Sequence, residues 1–160
     1  MNTFRKSLIA VLGAVATVLV LSAPANAAPI EEKATNAEMA QFAEQTGRVW
    51  DAQKQELLAA YDCPSGEICF YTGRDGTGDR CKWPSYDVEW LASPGVCSWA
   101  DTIAPKSVRN NGTNTSFTGV RYYSRPNFDN TAGCTRRGTR GTFVTPEKLR
   151  SHQWVTGACG

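Results

Sequence analysis

The residues of this 160-residue chain that could do chemistry are, above all, six cysteines and one histidine. In an exported protein an even number of cysteines favours disulfides, and six cysteines allow fifteen pairings. Sequential pairing is favoured because each resulting loop closes within or between neighbouring predicted strands. A zinc site is the weaker interpretation, since there is no C-x-x-C pair and His152 cannot complete a familiar ligand set. The sequential pairs are Cys63–Cys69, Cys81–Cys97 and Cys134–Cys159.

An enzyme would have to use the same histidine or a pair of carboxylates. His152 lies between Ser151 and Gln153 on a predicted strand, where a packed or hydrogen-bonded histidine is more common than a catalytic one. Asp87 and Glu89 are two residues apart in a loop, which is typical of a solvated turn rather than of a glycosidase pair. No G-x-S-x-G sequence and no phosphate-binding glycine loop occurs. The sequence therefore predicts neither catalysis nor a cofactor.

Charge is divided unevenly along the chain. Residues 28–67 carry 3 basic and 8 acidic side chains, a net charge of −5, and residues 68–160 carry 12 and 7, a net charge of +5. This overall balance argues against a nucleic-acid-binding protein. Arg136, Arg137 and Arg140 lie close together in a Gly/Thr-rich segment, which favours a solvated loop over a phosphate site.

Residues 1–27 have the pattern of an export signal. Arg5 and Lys6 precede an apolar stretch over residues 7–21, and residues 25–27, Ala-Asn-Ala, form a small-x-small cleavage site. The apolar stretch is short for a bilayer span and has no basic stop-transfer flank, so a membrane anchor is the weaker alternative. We expect a secreted, extracellular monomer without a membrane segment in its mature form.

Residues 28–62 are predicted to form a helical N-terminal segment. Apolar side chains recur at helical spacings over residues 35–61, Thr35 or Asn36 can cap the start, and Gly47 interrupts the run. We expect this acidic amphipathic helix to pack on the β domain that follows; a removable or mobile pro-segment is the alternative. The apolar positions are Met39, Phe42, Val49, Trp50, Leu57, Leu58 and Tyr61.

Residues 63–160 are predicted to form a mainly β, disulfide-braced domain. Short apolar and β-branched runs alternate with glycine, Asp and Asn turns at the spacing of an all-β sandwich. A sequence echo 52 residues apart, Tyr71 against Tyr123, indicates two related halves. Most of the tryptophans in this part should be core. The strand candidates are residues 68–72, 106–110, 118–124, 141–144 and 153–156.

Three stretches of this domain resemble those of a known family. They are Cys63-Pro-Ser-Gly-x-x-Cys69-x-Tyr71, Cys97-Ser-Trp leading into Ser107-Val-Arg-Asn-Asn-Gly-Thr, and Cys134-Thr-Arg-x-Gly followed by Leu149-Arg-Ser-His-Gln-Trp. In their order and spacing they resemble the actinobacterial secreted peptidase inhibitors with a βγ-crystallin-like fold, typified by the Streptomyces metalloproteinase inhibitor. The resemblance covers residues 63 to about 159.

This resemblance implies a wedge of two antiparallel sheets built from two Greek-key motifs. In each motif an aromatic-led hairpin, at Tyr71 and Tyr123, precedes a strand that carries a serine, at Ser107 and Ser151. The resemblance also implies a non-enzymatic protein whose partner is a secreted protease.

Family resemblance also raises the question of calcium, which such folds often bind through oxygen ligands in loops between strands. Here Asp101 and Glu147 are the acidic positions that remain in two degenerate candidate loops, and Arg150 stands where an oxygen ligand would belong. We therefore expect weak or absent calcium binding and no metal cofactor, with disulfides as the brace.

An inhibitor of the standard type needs an exposed loop that is held rigid, so that binding costs little ordering entropy. Residues 82–96 meet this need if the flanking cysteines are bridged. Thermolysin-like enzymes prefer an apolar residue after the cleaved bond, which favours the region 89–91. The competing interpretation places Trp83 and Trp90 in the core. The candidate anchors are Trp83, Tyr86, Trp90 and Leu91.

The sequence thus predicts a secreted peptidase inhibitor, directed at metalloproteinases, that acts through a rigid disulfide-clamped loop. The alternative from a different class is a structural or stress-related crystallin-type domain with weak or no calcium binding and no inhibitory activity. A secreted toxin or a cell-surface binding module is a third hypothesis.

Overall fold

The computed structural model describes residues 34–159, so the predicted signal peptide at residues 1–27 lies outside the described part. Within this part the chain forms one α-helix, one 3₁₀ turn and nine strands. The elements are α1 (Asn36–Gln45), β1 (Arg48–Asp51), β2 (Glu56–Ala59), β3 (Ile68–Tyr71), the 3₁₀ turn (Arg74–Gly76), β4 (Gly78–Trp83), β5 (Ser107–Asn110), β6 (Gly119–Tyr123), β7 (Thr131–Arg136), β8 (Arg140–Thr142) and β9 (Ser151–Val155).

The strands form two sheets, and each sheet receives a contribution from the other half of the domain. The first sheet has the order β2-β1-β4-β3-β5-β8 and the second the order β7-β6-β9. β8 follows β7 in the chain but pairs with β5, and Asp87 of the first half forms an antiparallel bridge to His152 on β9. This exchange ties the halves together, and it is compatible with the pair of Greek keys that the resemblance implies.

The prediction of a mainly β, disulfide-braced domain is confirmed. The cysteines form the three sequential disulfides, Cys63–Cys69, Cys81–Cys97 and Cys134–Cys159. The five strand candidates overlap β3, β5, β6, β8 and β9, whereas β1, β2, β4 and β7 were not predicted. The sequences of β4 and β7 contain glycine and many polar residues, and they become strands because each forms a hairpin with an apolar neighbour, β3 or β6.

The helix predicted over residues 35–61 begins where expected. The Glu38 N–H donates to Thr35 Oγ1 at 3.3 Å, and the Thr35 N–H donates to the Glu38 carboxylate at 2.7 Å. This reciprocal pair is a capping box, which satisfies main-chain donors at the start of a helix.

The second half of the helix prediction is wrong. α1 ends at Gln45, and Gly47 has a φ of +68°, a left-handed conformation that ends helices at low steric cost. The chain then turns into β1, where Val49 and Trp50 are buried. β1 pairs with β2 in a hairpin on one side and with β4 in parallel on the other, so it is hydrogen-bonded along both edges. This pairing outweighs the helical spacing of the apolar residues.

The N-terminal segment is built into the β domain. The Arg80 guanidinium on β4 is almost fully buried and forms ion pairs with Asp51, at 2.6 Å, and with Asp62. At the surface, the Lys106 amine lies 2.8 Å from the Glu44 carboxylate of α1. Opposite charges thus join the two parts, and the described residues form one compact unit that continues across the boundary predicted at residues 62 and 63.

Two clusters of buried side chains fill the fold. The smaller one lies on the outer face of the first sheet, where Val49, Leu58 and Tyr61 cover Tyr71 and the Cys63–Cys69 disulfide. The larger one draws on both sheets and is rich in aromatic rings. Its buried members are Ile68, Phe70, Trp83, Trp90, Cys97, Trp99, Ala100, Val108, Val120, Tyr122 and Leu149.

Candidate functional site

Two of the four candidate anchors in the loop at residues 82–96 are core residues. Trp83 is 4% exposed and Trp90 is fully buried. Their rings stack with centroids 4.6 Å apart, and Phe70 packs against Trp90 at 4.8 Å. The expectation that these tryptophans are exposed is therefore wrong. Because large aromatic rings bury much apolar area, these two tryptophans belong to the core that supports the loop.

His152 is fully buried beside these tryptophans and links the loop to β9. Its Nδ1 accepts a hydrogen bond from the Trp90 indole N–H at 2.9 Å, so Nε2 carries the proton and donates to the Ser85 carbonyl at 2.9 Å. Burial lowers the pKa of His152 to about 4, so the ring is neutral near pH 7. Both ring nitrogens hold the loop in place, as expected of a packed histidine.

Main-chain hydrogen bonds also pin the loop along its length. Asp87 and His152 exchange two of them, at 3.0 and 2.9 Å. The Trp90 N–H donates to the Arg150 carbonyl at 2.8 Å, and the Cys97 N–H donates to the Trp90 carbonyl at 2.6 Å. These main-chain hydrogen bonds therefore fix the loop in addition to its disulfide.

The middle of the loop is held most firmly. The Glu89 carboxylate accepts three hydrogen bonds of 2.7–2.9 Å from the Arg150 guanidinium, a paired geometry of high strength. Leu91 is partly buried against the large core cluster. The region 89–91 thus presents no freely exposed apolar side chain, which corrects the expectation that it carries the apolar residue offered to a peptidase.

Exposed apolar side chains lie elsewhere in the loop: Val96, at its end, is 55% exposed, and two others lie in its first part. Tyr86 is 63% exposed and Val88 is 41% exposed. The Tyr86 ring packs edge-on against Phe128 with centroids 6.1 Å apart, and the Asn127 N–H donates to the Val88 carbonyl at 2.8 Å. The hairpin turn between β6 and β7 therefore supports this part of the loop from the side.

A buried serine positions Phe128 in that turn. Ser151 Oγ donates to the Arg125 carbonyl at 2.6 Å and accepts from the Phe128 N–H at 3.1 Å. Phe128 has a φ of +60°, which is uncommon for a bulky residue and needs such support. The sequence resemblance pointed to the strand that carries Ser151, but sequence reasoning missed Phe128 as a site residue. It also missed Phe117, which lies before β6 and lines the adjacent groove.

A groove of about 610 Å³ opens beside Tyr86. The start of the loop forms one wall, the turn before β6 forms another, and Trp154 lies at the end of β9. Among residues 34–159, no charged side chain lines the groove. This size, together with aromatic rings and a few amide and hydroxyl groups, is typical of a binding site. The lining residues are Gly66, Pro84, Ser85, Tyr86, Thr113, Asn114, Phe117, Phe128, Gln153 and Trp154.

The remaining sequence candidates lie apart from this groove. Asp101 and Glu147 are both exposed, and residues 34–159 contain no group of three or more His, Cys, Asp or Glu side chains that could hold a metal ion. Weak or absent calcium binding stays a prediction.

The three clustered arginines occupy the exposed end of β7, its turn and the start of β8. The Arg140 guanidinium lies over the Tyr61 ring, 4.7 Å from its centroid, a cation–π contact with the N-terminal segment. α1, the one helix in the described part, is too short and too polar to cross a membrane.

The fold and the loop define a disulfide-braced, two-sheet β protein that presents a fixed loop. Residues 58–135 match the family model of peptidase inhibitor family I36, in agreement with the resemblance drawn from the sequence. The match spans β3 to β7 with the Cys81–Cys97 loop between them, and it supports a peptidase inhibitor role with a peptidase as the partner. No curated protein and no solved structure matches the chain.

Proposed function

We propose that the protein is a secreted inhibitor of metalloproteinases that presents the start of its Cys81–Cys97 loop to the enzyme. The observation that carries this proposal is a loop fixed by a disulfide and by core contacts, yet carrying the exposed apolar side chains Tyr86 and Val88. The family match supplies the coarser role of peptidase inhibitor.

Rigidity is the physical reason why such a loop can inhibit. A loop that is already ordered loses little conformational entropy when it binds, so more of the contact energy appears as affinity. Trp83 and Trp90 contribute to this rigidity from the core, because their stacked rings and the Trp90–His152 hydrogen bond fix the loop backbone.

Of the four candidate anchors that the sequence suggested, Tyr86 takes the anchor role in this proposal. Tyrosine is frequent among the residues that contribute most to interfaces, and this side chain is exposed while its edge is held against Phe128. Its apolar ring is the kind of side chain that a thermolysin-like metalloproteinase is expected to bind after the cleaved bond.

The test is a titration of the purified protein against metallo-, serine and cysteine peptidases. We expect inhibition of metalloproteinases, and Tyr86→Ala should raise the inhibition constant about thirtyfold, the equivalent of about 2 kcal/mol. The melting temperature of this variant should change little, because the side chain is mostly exposed. Val144→Ala is the matched control, since Val144 is 93% exposed and lies outside the loop.

Three outcomes would contradict the proposal. Inhibition of serine or cysteine peptidases alone rejects the metalloproteinase target. A folded Tyr86→Ala variant that inhibits as well as the parent removes this loop position. A folded parent protein that inhibits none of the enzymes favours the structural or stress-related domain.

A further inference from the structure

The edge of β9 beside the groove is open. β9 pairs on one side with β6. On the other side Asp87 exchanges both of its main-chain hydrogen bonds with His152, and the bridge ends there. Ser85 would face Trp154 if the pairing continued, but its carbonyl accepts from the His152 ring instead.

Trp154 is the next residue whose main-chain groups face this edge, because residues along a strand alternate between its two sides. Among residues 34–159 no main-chain hydrogen bond to Trp154 is found from that side. Free N–H and C=O groups at a sheet edge are a template on which an extended peptide can add as a further strand.

The groove supplies side-chain contacts next to this edge. The Phe117 and Trp154 rings lie with centroids 5.9 Å apart, and Phe128 forms part of the opposite wall. The lining residues in the described part include no charged side chain, although 20% of the chain is charged. A charged segment would lose hydration there without gaining a partner, so an uncharged apolar segment fits best.

The groove is also continuous with the proposed inhibitory loop, because Ser85 and Tyr86 belong to both. We propose that the groove is a second contact for the peptidase, which lays an extended, uncharged segment of its own chain along the β9 edge at Trp154. This inference rests on the proposed function and names a surface beyond the disulfide loop.

The experiment uses hydrogen exchange on the parent protein, alone and in complex with the metalloproteinase it inhibits. The Trp154 amide should exchange at least tenfold more slowly in the complex, because it gains a main-chain acceptor. Amides on the outer edge of β2 (Glu56–Ala59) serve as an internal control and should not change. A second measurement is the inhibition constant of Thr113→Arg, which places bulk and charge in the groove wall and should raise that constant about tenfold or more.

Two variants control for the substitution itself. Thr113→Ser keeps the groove open and should inhibit like the parent, and Val144→Arg adds the same side chain at an exposed site outside the groove. An unprotected Trp154 amide in the complex, or equal inhibition by Thr113→Arg and Val144→Arg, overturns the groove proposal while inhibition by the parent leaves the proposed function standing. No inhibition by the parent overturns both. Protection of Trp154 that rises with concentration of the protein alone assigns the groove to a second copy and rejects a peptidase segment.

Discussion

The two halves of the domain use the same device to fold their first hairpin. In the first half, Ser107 Oγ donates to the Gly73 carbonyl at 2.7 Å and accepts from the Gly76 N–H at 2.9 Å. In the second half, Ser151 makes the corresponding pair of bonds to the turn between β6 and β7. Both serines are fully buried, and each holds a hairpin turn through two hydrogen bonds. We call this arrangement a serine latch.

The halves differ in what covers the tyrosine beneath that turn. In the first half the N-terminal segment supplies Tyr61, which packs on Tyr71 with centroids 5.8 Å apart and leaves no room for a Cβ at Gly76. In the second half the turn itself supplies the ring, as Phe128 packs on Tyr123 at 5.7 Å. The two turns therefore differ at one equivalent position. It is Gly76 where the N-terminal segment covers the tyrosine, and Phe128 where the turn itself covers the tyrosine.

This difference explains why one half is closed and the other open. Residues 34–62 extend the first sheet by two strands and bury its outer face. No described segment plays that part for the second sheet, and the groove lies between its edge and the disulfide loop. The candidate binding surface is therefore on the side that the N-terminal segment leaves uncovered.

The largest effect is expected from the core beneath the loop. Trp90→Ala should lower the free energy of unfolding by about 3–5 kcal/mol, because a fully buried ring is replaced by a cavity. Denaturant unfolding measures this loss, with Val144→Ala as the exposed control. A Trp90→Ala protein as stable as its parent would contradict the assignment of this residue to the core.

A partly buried carboxyl in the first sheet, Asp79, and a buried histidine in the second, His152, should make stability depend on pH with opposite signs. Burial and the charge of Asp51 raise the pKa of Asp79 to about 6, so the folded state binds the extra proton and this contribution to stability is lost as pH rises through 6. The lowered pKa of His152 means that the unfolded state binds the extra proton, so its contribution is present above about pH 6.5 and is lost as pH falls towards 4.

Asp79→Asn separates these two contributions. At pH 7 the variant should be more stable than the parent by roughly 2–3 kcal/mol, because it removes a buried charge, and the gain should vanish near pH 4. Unfolding midpoints at pH 4, 5.5 and 7 give the difference directly. A variant that is less stable than the parent at pH 7 would show that the Asp79 carboxylate is stabilised by its surroundings.

The serine latches allow a direct comparison of the halves. Ser107→Ala and Ser151→Ala should each lower stability by about 1–3 kcal/mol, because each leaves a main-chain N–H without its acceptor and a carbonyl without its donor. Only Ser151→Ala should also weaken peptidase inhibition, since it releases the turn that carries Phe128. Equal inhibition by both variants would mean that Phe128 does not support the binding surface.

The smallest effect is expected from calcium. Millimolar calcium should change the melting temperature little, because neither Asp101 nor Glu147 belongs to a cluster of ligands in the described part. By linkage, a ligand at a hundred times its dissociation constant would add about 2.7 kcal/mol of stability. A shift of that size at micromolar calcium would restore a calcium site to one of these loops.

Local residue types identified much of the architecture. Apolar and aromatic runs such as 68–71 and 119–123 mark central strands because burial on a sheet requires them. The helix cap at Thr35 was also legible, because it depends on neighbours in sequence. The N-terminal strands were missed because their apolar residues recur at helical spacing, whereas pairing with β2 and with β4 makes β1 a strand.

The sequence by itself determined the fold class and the disulfide brace, since these follow from composition, spacing and short motifs. Only the tertiary structure decided which residues of the loop face the solvent. Trp90 and Tyr86 are both aromatic residues of one loop, yet Trp90 donates to a buried histidine on β9 while Tyr86 stands on the rim of a groove. Exposure depends on what the rest of the chain places against a residue, and here those neighbours lie about 60 residues or, for Phe128, some 40 residues further along the sequence.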